Sequence, residues 1–261
     1  MTRSISSRLA LPVALAVSLA ACQTAPVADA GFLSSYEGLE TKAGTLRVSV
    51  RERRDEAMAA AVDRLFVQPA RLIPGAAEGV APEDVALVLG EVDRQVCYEL
   101  SERFTVLGVP AADAATVRVA VTRITPTEPV GSGLSAVAGA FIPGPIGVRP
   151  PGSTGMLAAE AELVTTAGDQ AAALAWARSA NVVGMDNPSL SRVGDALQFA
   201  EVFGDQVGDS FAPAERPVRP VAEPDPCARF GPRDQPGGFL TRLVTGLYVP
   251  ETQGVRPQDA E

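Results

Sequence analysis

The sequence predicts an α+β domain of two layers, in which about four mainly antiparallel strands form a sheet and two helices cover one face. Three observations support this prediction. Strand-like and helix-like segments follow one another in the order strand, helix, strand, hairpin and helix. Two long segments carry apolar residues spaced three and four apart, and β-branched alternation marks the strands. A Gly/Pro-rich loop and an extended C-terminal tail complete the predicted chain.

The predicted strands are recognised by the alternation of apolar and polar side chains. Residues 116–124 form a β-branched run in which valines alternate with polar residues, which is typical of a strand covered on one side. Residues 156–166 and 171–183 flank the turn sequence Ala-Gly-Asp-Gln and predict a hairpin. Residues 62–72 predict the fourth strand, and residues 45–50 predict a short extended piece ahead of a helical turn.

Two amphipathic segments predict the helices of the second layer. The first begins at Pro82, and its apolar side chains recur at helical spacing: Val85, Val88, Leu89, Val92, Val96 and Leu100. The second extends from about Ser191 to Phe211, with one apolar face: Ala196, Phe199, Ala200, Phe203 and Val207. Charged and amide side chains occupy the opposite faces, so each helix is expected to pack on one side and to face water on the other.

The chain begins like a secreted protein. Arg3 and Arg8 supply positive charge ahead of residues 9–21, an uncharged and mostly apolar stretch that is too short to span a bilayer well. That stretch ends in a sequence that resembles the lipobox of bacterial lipoproteins: Leu19, Ala20, Ala21 and Cys22. The resemblance implies that the signal peptidase recognises the first three of these residues and that the Cys22 thiol is acylated, for example by palmitate.

Residues 1–21 are therefore interpreted as a signal peptide, and residues 22–30 as a tether of mostly small and polar residues. Each buried methylene group contributes about 0.8 kcal/mol to membrane binding, so several acyl chains would hold the protein permanently. Gln23 stands where an aspartate usually marks retention in the inner membrane. We therefore expect the periplasmic face of the outer membrane.

Composition narrows the range of partners. The net charge is -9, and no run is rich in lysine or arginine, so nucleic acid is not an expected partner. Once Cys22 is acylated, Cys97 and Cys227 remain as an even pair in an oxidising compartment. A disulfide and two separate thiols are both consistent with the sequence.

Residues 31–212 are expected to form the domain, which includes the Gly-rich loop 130–155. Residues 213–261 are expected to form a proline-rich tail with a short amphipathic segment at 239–248. Loop and tail segment each carry apolar residues that could dock on a membrane or a partner: Leu134, Phe141, Ile142, Phe239, Leu243 and Leu247. The alternatives are a disordered insertion for the loop and, for the tail segment, packing back onto the domain.

The residue types exclude much of enzyme chemistry. The chain contains no histidine, which excludes Ser-His-Asp and Cys-His catalysis and His-ligated zinc. No cofactor and no metal site are expected. Glu160 and Glu162 stand two apart on a predicted strand and therefore on one side of it. They could act as acid and base in glycan hydrolysis, or they could form a solvated strand face.

Several short motifs of the chain occur together in one protein family. They are Cys22, Gly31-Phe32-Leu33 followed by Tyr36 and Leu39, Thr154-Gly155, Glu160-x-Glu162 and the Gly168 turn. Together they resemble the bacterial lipoprotein family known as domain of unknown function thirty-three thirteen, over about residues 31–212. The chain departs from the family near Thr165, where an acidic residue is expected, and adds the tail. Since the family has no established activity, the resemblance implies an address and an architecture but no catalytic residue.

The sequence thus favours a non-catalytic lipoprotein, anchored in the cell envelope, that binds an envelope protein as an accessory or assembly factor. Two alternatives stay open: an envelope enzyme that acts on glycan through Glu160 or Glu162, and a carrier of an apolar ligand. The enzyme requires a substrate-sized pocket around a carboxylate. The carrier requires an internal cavity between the sheet and the helices.

Overall fold

The computed structural model describes residues 28–43, 45, 48–127, 147–148, 154–181, 183–184, 186, 189–233 and 235–258. The strands in these residues are β1 (Glu40–Thr41), β2 (Val48–Arg54), β3 (Arg64–Val67), β4 (Arg71–Leu72), β5 (Thr105–Leu107), β6 (Ala115–Thr125), β7 (Gly147–Val148), β8 (Met156–Val164), β9 (Gln170–Ser179) and β10 (Val183–Gly184). The α-helices are α1 (Glu56–Ala61), α2 (Pro82–Ser101), α3 (Gly194–Phe211) and α4 (Pro236–Thr245). Two short 3-10 helices lie in the tail, at Ala228–Phe230 and Pro250–Gln253.

The main sheet differs from the predicted one in size and in strand direction. Within the described residues, eight strands form it, in the order β1-β2-β9-β8-β6-β3-β5 with β4 paired to β6. Strand β3 runs parallel to β5 and β6, and β4 runs parallel to β6. The remaining neighbours are antiparallel. The prediction of a four-stranded, mainly antiparallel sheet with two helices is therefore wrong, since the sheet is mixed and twice as large.

The strands that the prediction missed are short or highly charged. Strands β1 and β5, with two and three residues, are too short to show an alternating pattern, and the two-residue β4 lies inside the single strand predicted for residues 62–72. The second half of β2 reads Arg-Glu-Arg-Arg, which has no apolar residue on either side. This half of β2 nevertheless pairs with β9, where Arg53 lies opposite Ala173.

The predicted hairpin is present as β8 and β9. The two strands are antiparallel, with Leu163 opposite Ala172. The turn closes through a hydrogen bond from the Thr165 amide to the Asp169 carbonyl, 2.8 Å. Gly168 has φ 91°, a left-handed conformation that a residue with a Cβ adopts only at a cost, which explains the glycine at this position.

Helices α2 and α3 pack side by side against one face of the sheet. A Cβ on Gly204 of α3 would lie 2.9 Å from the Gln95 backbone of α2, so the two helices approach closely and only glycine fits there. The core between helices and sheet includes Trp176 of β9 and Phe203 of α3, whose ring centroids are 5.4 Å apart. Aromatic pairs at this distance stabilise a core beyond the area that they bury.

Two carboxyl groups meet across the interface of these helices. Glu99 of α2 and Asp205 of α3 share a hydrogen bond. Burial, together with the neighbouring charge of Asp205, raises the pKa of Glu99 from 4.5 to about 7. Burial also raises the pKa of Asp205. The folded protein therefore binds a proton at this pair in a pH range in which the unfolded chain has lost it.

The stability of the protein should consequently fall as pH rises from about 4.5 to about 7, since the pKa of Glu99 is raised in the folded state. Glu99→Gln removes the ionisation and should raise the free energy of unfolding at pH 8 by about 1 kcal/mol, a value reduced for the partial exposure of the side chain. At pH 4 the variant and the unsubstituted protein should match. Urea denaturation at both pH values measures this difference, and an equal gain at pH 4 and pH 8 would contradict the explanation.

The C-terminal tail folds back along α2. Cys97 of α2 and Cys227 form a disulfide with an S–S distance of 2.07 Å, the pairing that the sequence left open. The Tyr98 hydroxyl donates a hydrogen bond to the Gly231 carbonyl at 2.5 Å. Further along, a Cβ on Gly90 would lie 2.0 Å from the Arg256 carbonyl oxygen, so the tail passes directly over the helix. The described tail residues between Cys227 and Gln258 are therefore part of the folded body.

Candidate functional site

The sheet face opposite α2 and α3 carries two buried glutamates. Glu160 and Glu162 of β8 point to the same side, as the sequence predicted, and lie beside Ala175 and Ala173 of β9. Only 3% of Glu160 and 0% of Glu162 is exposed. Buried carboxylates require hydrogen-bond donors or counter-charges, because removing a charge from water is costly. These donors come chiefly from the N-terminal segment 28–36, which we call the strap.

Glu160 binds the strap at two points. Its Oε1 accepts a hydrogen bond from the Ala30 amide at 2.9 Å, and its Oε2 accepts one from the Tyr36 hydroxyl at 2.6 Å. The same hydroxyl accepts a hydrogen bond from the Phe32 amide at 2.9 Å. Burial and the Glu160 carboxylate raise the pKa of Tyr36, so the hydroxyl keeps its proton and remains a donor. Leu33 is buried between these contacts.

Glu162 binds the strap further along and, in addition, forms an ion pair with an arginine. The Ser34 amide and hydroxyl donate to its two oxygens at 2.8 and 3.1 Å. Gln170 of β9 donates to it at 2.8 Å, and the Arg118 guanidinium of β6 forms an ion pair at 2.6 Å. Gln170 also donates to the Ser35 carbonyl at 3.2 Å. The buried Glu162 carboxylate of β8 thus links β6, β9 and the strap.

These contacts determine what the glutamate pair can do chemically. Both oxygens of each carboxylate accept hydrogen bonds from described residues. The cavity beside Glu160 has a volume of about 10 Å³, about the space that one water molecule needs. Glycan hydrolysis needs a cleft in which one carboxyl reaches the leaving oxygen. In this structure the two carboxylates instead hold the strap on the sheet.

The strap has a defined direction on the sheet. Ala30 lies at Glu160 and Ser34 lies at Glu162, so the strap runs in the same direction as β8. The N-terminal end of the strap therefore lies towards the first residue of β8. Ala28 then lies by Ser49 and Ala177, near the first residues of β2 and the last of β9. The sheet end at which β8 begins and β9 ends is called the Gly155 end. Ala28, the first described residue of the strap, therefore lies towards the Gly155 end.

The start of α3 belongs to the same end. Asp195 is fully buried, and its Oδ2 accepts hydrogen bonds from the Gly155 amide at 2.8 Å and from the Thr127 hydroxyl at 3.0 Å. A Cβ on Gly155 would lie 2.7 Å from the Thr127 hydroxyl oxygen, so this position requires glycine. Thr127 and Gly155 follow β6 and precede β8, so the first turn of α3 is fastened where these two strands meet.

The C-terminus of helix α4 in the tail is attached to the Gly155 end of the domain. Just beyond the helix, the Tyr248 carbonyl accepts a hydrogen bond from the Ser189 hydroxyl at 2.8 Å. Ser189 in turn packs against Gly194, the first residue of α3. The outward side of α4 carries large apolar side chains that are more than half exposed: Phe239, Leu240, Leu243 and Val244. The tail therefore packs on the domain and still presents an apolar surface, the α4 face.

The predicted docking and anchoring residues fall into two groups. Phe239 is 64% exposed and Leu243 is 70% exposed, both on the α4 face, whereas Leu247 is half-buried. The other predicted residues lie outside the described residues: Leu19, Ala20, Ala21, Cys22, Leu134, Phe141 and Ile142.

A cleft of about 880 Å³ was not predicted from the sequence. It lies between the tail, α2 and the segment that forms β3 and β4, whereas the predicted apolar carrier would hold its ligand inside, between the sheet and the helices. The lining combines charged and aromatic side chains: Phe66, Arg71, Asp93, Arg229, Phe230 and Arg256. They come from four distant parts of the chain, so no local pattern could have indicated them. We call this site the tail cleft.

The described residues also limit other kinds of site. None of the helices among them combines the length and the apolar character that crossing a bilayer requires. Those same residues include no group of three or more histidine, cysteine, aspartate or glutamate side chains that could hold a metal ion.

No curated protein matches the chain. Two dodecamer structures of PelC from Paraburkholderia phytofirmans are similar to it, with 9% and 10% sequence identity and TM-scores of 0.36 and 0.37. The first covers 64% of this chain and 99% of the PelC chain, and the second covers 63% and 96%.

One family covers most of the chain. The sequence model of the family described as "Protein of unknown function (DUF3313)" matches residues 28–207. This match begins at the first described residue of the strap and ends within α3, so it includes the glutamate pair and leaves out the tail. Because this match spans more than half of the chain, the chain belongs to the DUF3313 family.

Proposed function

We propose that this protein is a non-catalytic lipoprotein, anchored through acylated Cys22 on the periplasmic face of the outer membrane, that binds an envelope protein as an accessory or assembly factor. The observation that carries the proposal is the strap. Two buried glutamates hold the strap, which begins six positions after Cys22 of the lipobox-like sequence. A tether that needed no defined position would need no such contacts.

The strap sets how far the domain can stand from an anchor at Cys22. Ala28 stands six positions after Cys22. Six extended residues span at most about 20 Å, so the domain would stay within that distance of the acylated residue. Since Ala28 lies towards the Gly155 end, that end of the domain would face the membrane.

The α4 face supports the partner part of the proposal. Four large apolar side chains exposed on one short helix exceed the scattered exposure that is ordinary for a protein surface. The disulfide at Cys227 holds the tail before α4, and the hydrogen bond from Ser189 holds Tyr248 just after it. The helix is therefore presented in a fixed position. An amphipathic helix in this position fits a groove on a protein of the same membrane.

The anchor can be tested by acylation. Cells that express the protein and are fed alkyne-tagged palmitate should label it, and Cys22→Ser should abolish the label because the acylated thiol is gone. The matched control is Cys97→Ser with Cys227→Ser, which removes the disulfide cysteines and should leave the label. An unlabelled unsubstituted protein, or label that persists in Cys22→Ser, would refute the anchor.

The partner can be tested by photo-cross-linking in intact cells. A photoreactive residue at Leu243 should yield a discrete adduct with an envelope protein, and Phe239→Ser on the same face should weaken that adduct. The matched control is Val109, which is also 70% exposed but lies in the loop before β6, at the opposite end of that strand from the Gly155 end. Adducts with lipid alone would instead assign the α4 face to the membrane, and equal adducts at both positions would contradict a specific partner.

A further inference from the structure

We propose that the tail cleft binds a small organic anion, whose charged group is held by Arg71 and Arg256 and whose apolar part contacts Phe66 and Phe230. This inference is independent of the anchor and of the α4 face. It gives the tail, which lies outside the family match, a binding site of its own.

The cleft concentrates positive charge in an acidic protein. The chain has a net charge of -9, yet Arg71, Arg229 and Arg256 all line this one cleft. Arg71 and Arg256 are exposed, and among the described residues neither guanidinium has an ion pair or a side-chain hydrogen bond. Many other arginines of the chain, such as Arg94 and Arg118, are paired with a glutamate. Unpaired guanidinium groups on one concave surface favour a carboxylate or phosphate, which they can bind through two parallel hydrogen bonds.

Arg229 forms a fixed wall of the cleft together with two aromatic rings. Its guanidinium lies 4.5 Å from the centroid of the Phe230 ring and 5.9 Å from that of Phe66. It also donates a hydrogen bond to the Gly108 carbonyl at 2.8 Å. These contacts position the Arg229 side chain through neutral groups, and its charge also acts on the nearby Asp93 carboxyl. The adjacent rings offer an apolar surface to the body of a ligand.

The one acidic side chain of the cleft is already satisfied. Asp93 is buried, and its oxygens accept hydrogen bonds from the Ala70 amide at 2.7 Å and from the Gln258 side chain at 2.9 Å. Burial raises the pKa of Asp93 to about 6, although the charge of Arg229 acts in the opposite direction. Asp93 thus holds Gln258 of the tail in place and forms no ion pair with Arg71 or Arg256.

The size of the cleft indicates the size of the ligand. Sites for small organic ligands have volumes of roughly 300–1,000 Å³, and the tail cleft has about 880 Å³. A free inorganic anion would occupy a small part of it. An anion with an apolar or ring-containing body would use both the arginines and the phenylalanines.

Calorimetric titration of the full mature protein in detergent, against a detergent blank, tests the proposal. The probe is 1-naphthyl phosphate, with inorganic phosphate, 1-naphthoate and 1-naphthol as separate arms. The naphthyl phosphate should bind with one site per chain and more tightly than phosphate or naphthol alone. A naphthoate that binds more tightly than the naphthyl phosphate would identify the ligand as a carboxylate rather than a phosphate. No binding of either naphthyl anion at millimolar concentration would overturn the proposal.

Variants connect the binding to the cleft. Arg71→Gln combined with Arg256→Gln should weaken binding of the naphthyl anion by about tenfold or more, the loss expected for one or two charge-assisted hydrogen bonds. The matched control is Arg123→Gln, which removes an exposed arginine of β6 outside the cleft lining and should leave the affinity unchanged. Thermal melts of all variants should coincide, because these side chains stabilise no described contact. Equal weakening in Arg123→Gln, or no weakening in the double variant, would overturn the site.

Discussion

Replacing Cys97 and Cys227 together by alanine is expected to lower the free energy of unfolding by about 4 kcal/mol, the order that chain entropy gives for a large closed loop. The disulfide joins residues that are 130 positions apart, so it strongly restricts the unfolded chain. Both cysteines are fully buried, so the alanines also lose packing in the core. Urea denaturation followed by fluorescence of Trp176, the single tryptophan of the chain, measures the change.

The disulfide variant should also loosen the tail before the domain. Hydrogen exchange of the amides from 228 to 258 should accelerate, while exchange in β8 and β9 stays slow under native conditions. Adding a reductant to the unsubstituted protein is the control and should reproduce both effects. Unchanged urea midpoints with unchanged exchange in the tail would show that the tail is held without the disulfide.

Replacing Glu162 by alanine should have the next largest effect and should release the strap. Removing one partner of a buried ion pair costs about 3 kcal/mol or more, because the remaining groups stay buried without a partner. Here Arg118, Gln170 and the Ser34 amide would all lose their acceptor. We expect the free energy of unfolding to fall by about 3 kcal/mol, since Arg118 is partly exposed and recovers some hydration.

Two comparisons separate release of the strap from a general loss of stability. Glu37→Ala removes an exposed glutamate just beyond the strap and should change neither stability nor exchange. Glu162→Gln keeps the shape of the side chain but not its charge. Its free energy of unfolding should lie between those of Glu162→Ala and the unsubstituted protein. In Glu162→Ala, the amides of Ala30 and Ser34 should exchange faster than those of α2. Slow exchange at Ser34 in this variant would show that Glu162 does not hold the strap.

Release of the strap would also change the geometry at a membrane. With the strap in place, the first described contact lies at Ala28, six positions after Cys22. Without it, the first strand-bound residue is Glu40, eighteen positions after Cys22. The reach of the tether would therefore triple in residues, and the domain would lose its defined orientation.

Local patterns predicted what local geometry controls. The helix that begins at Pro82, the hairpin of β8 and β9 and the shared side of Glu160 and Glu162 were all predicted from spacing within one segment. These features follow from the periods of helix and strand, which a sequence displays directly.

The sequence by itself therefore determined the segments, their apolar faces and the exclusion of histidine chemistry. Only the tertiary structure decided the partners: eight strands rather than four, Glu160 as an acceptor for an amide 130 positions away, and a cleft assembled from distant parts of the chain. The physical reason is that these features depend on contacts between residues distant in sequence. This holds for strands β1, β4 and β5 and for Arg71 and Arg256 of the tail cleft. Such contacts leave no period in the chain, because each is set by how the layers pack and not by neighbouring residues.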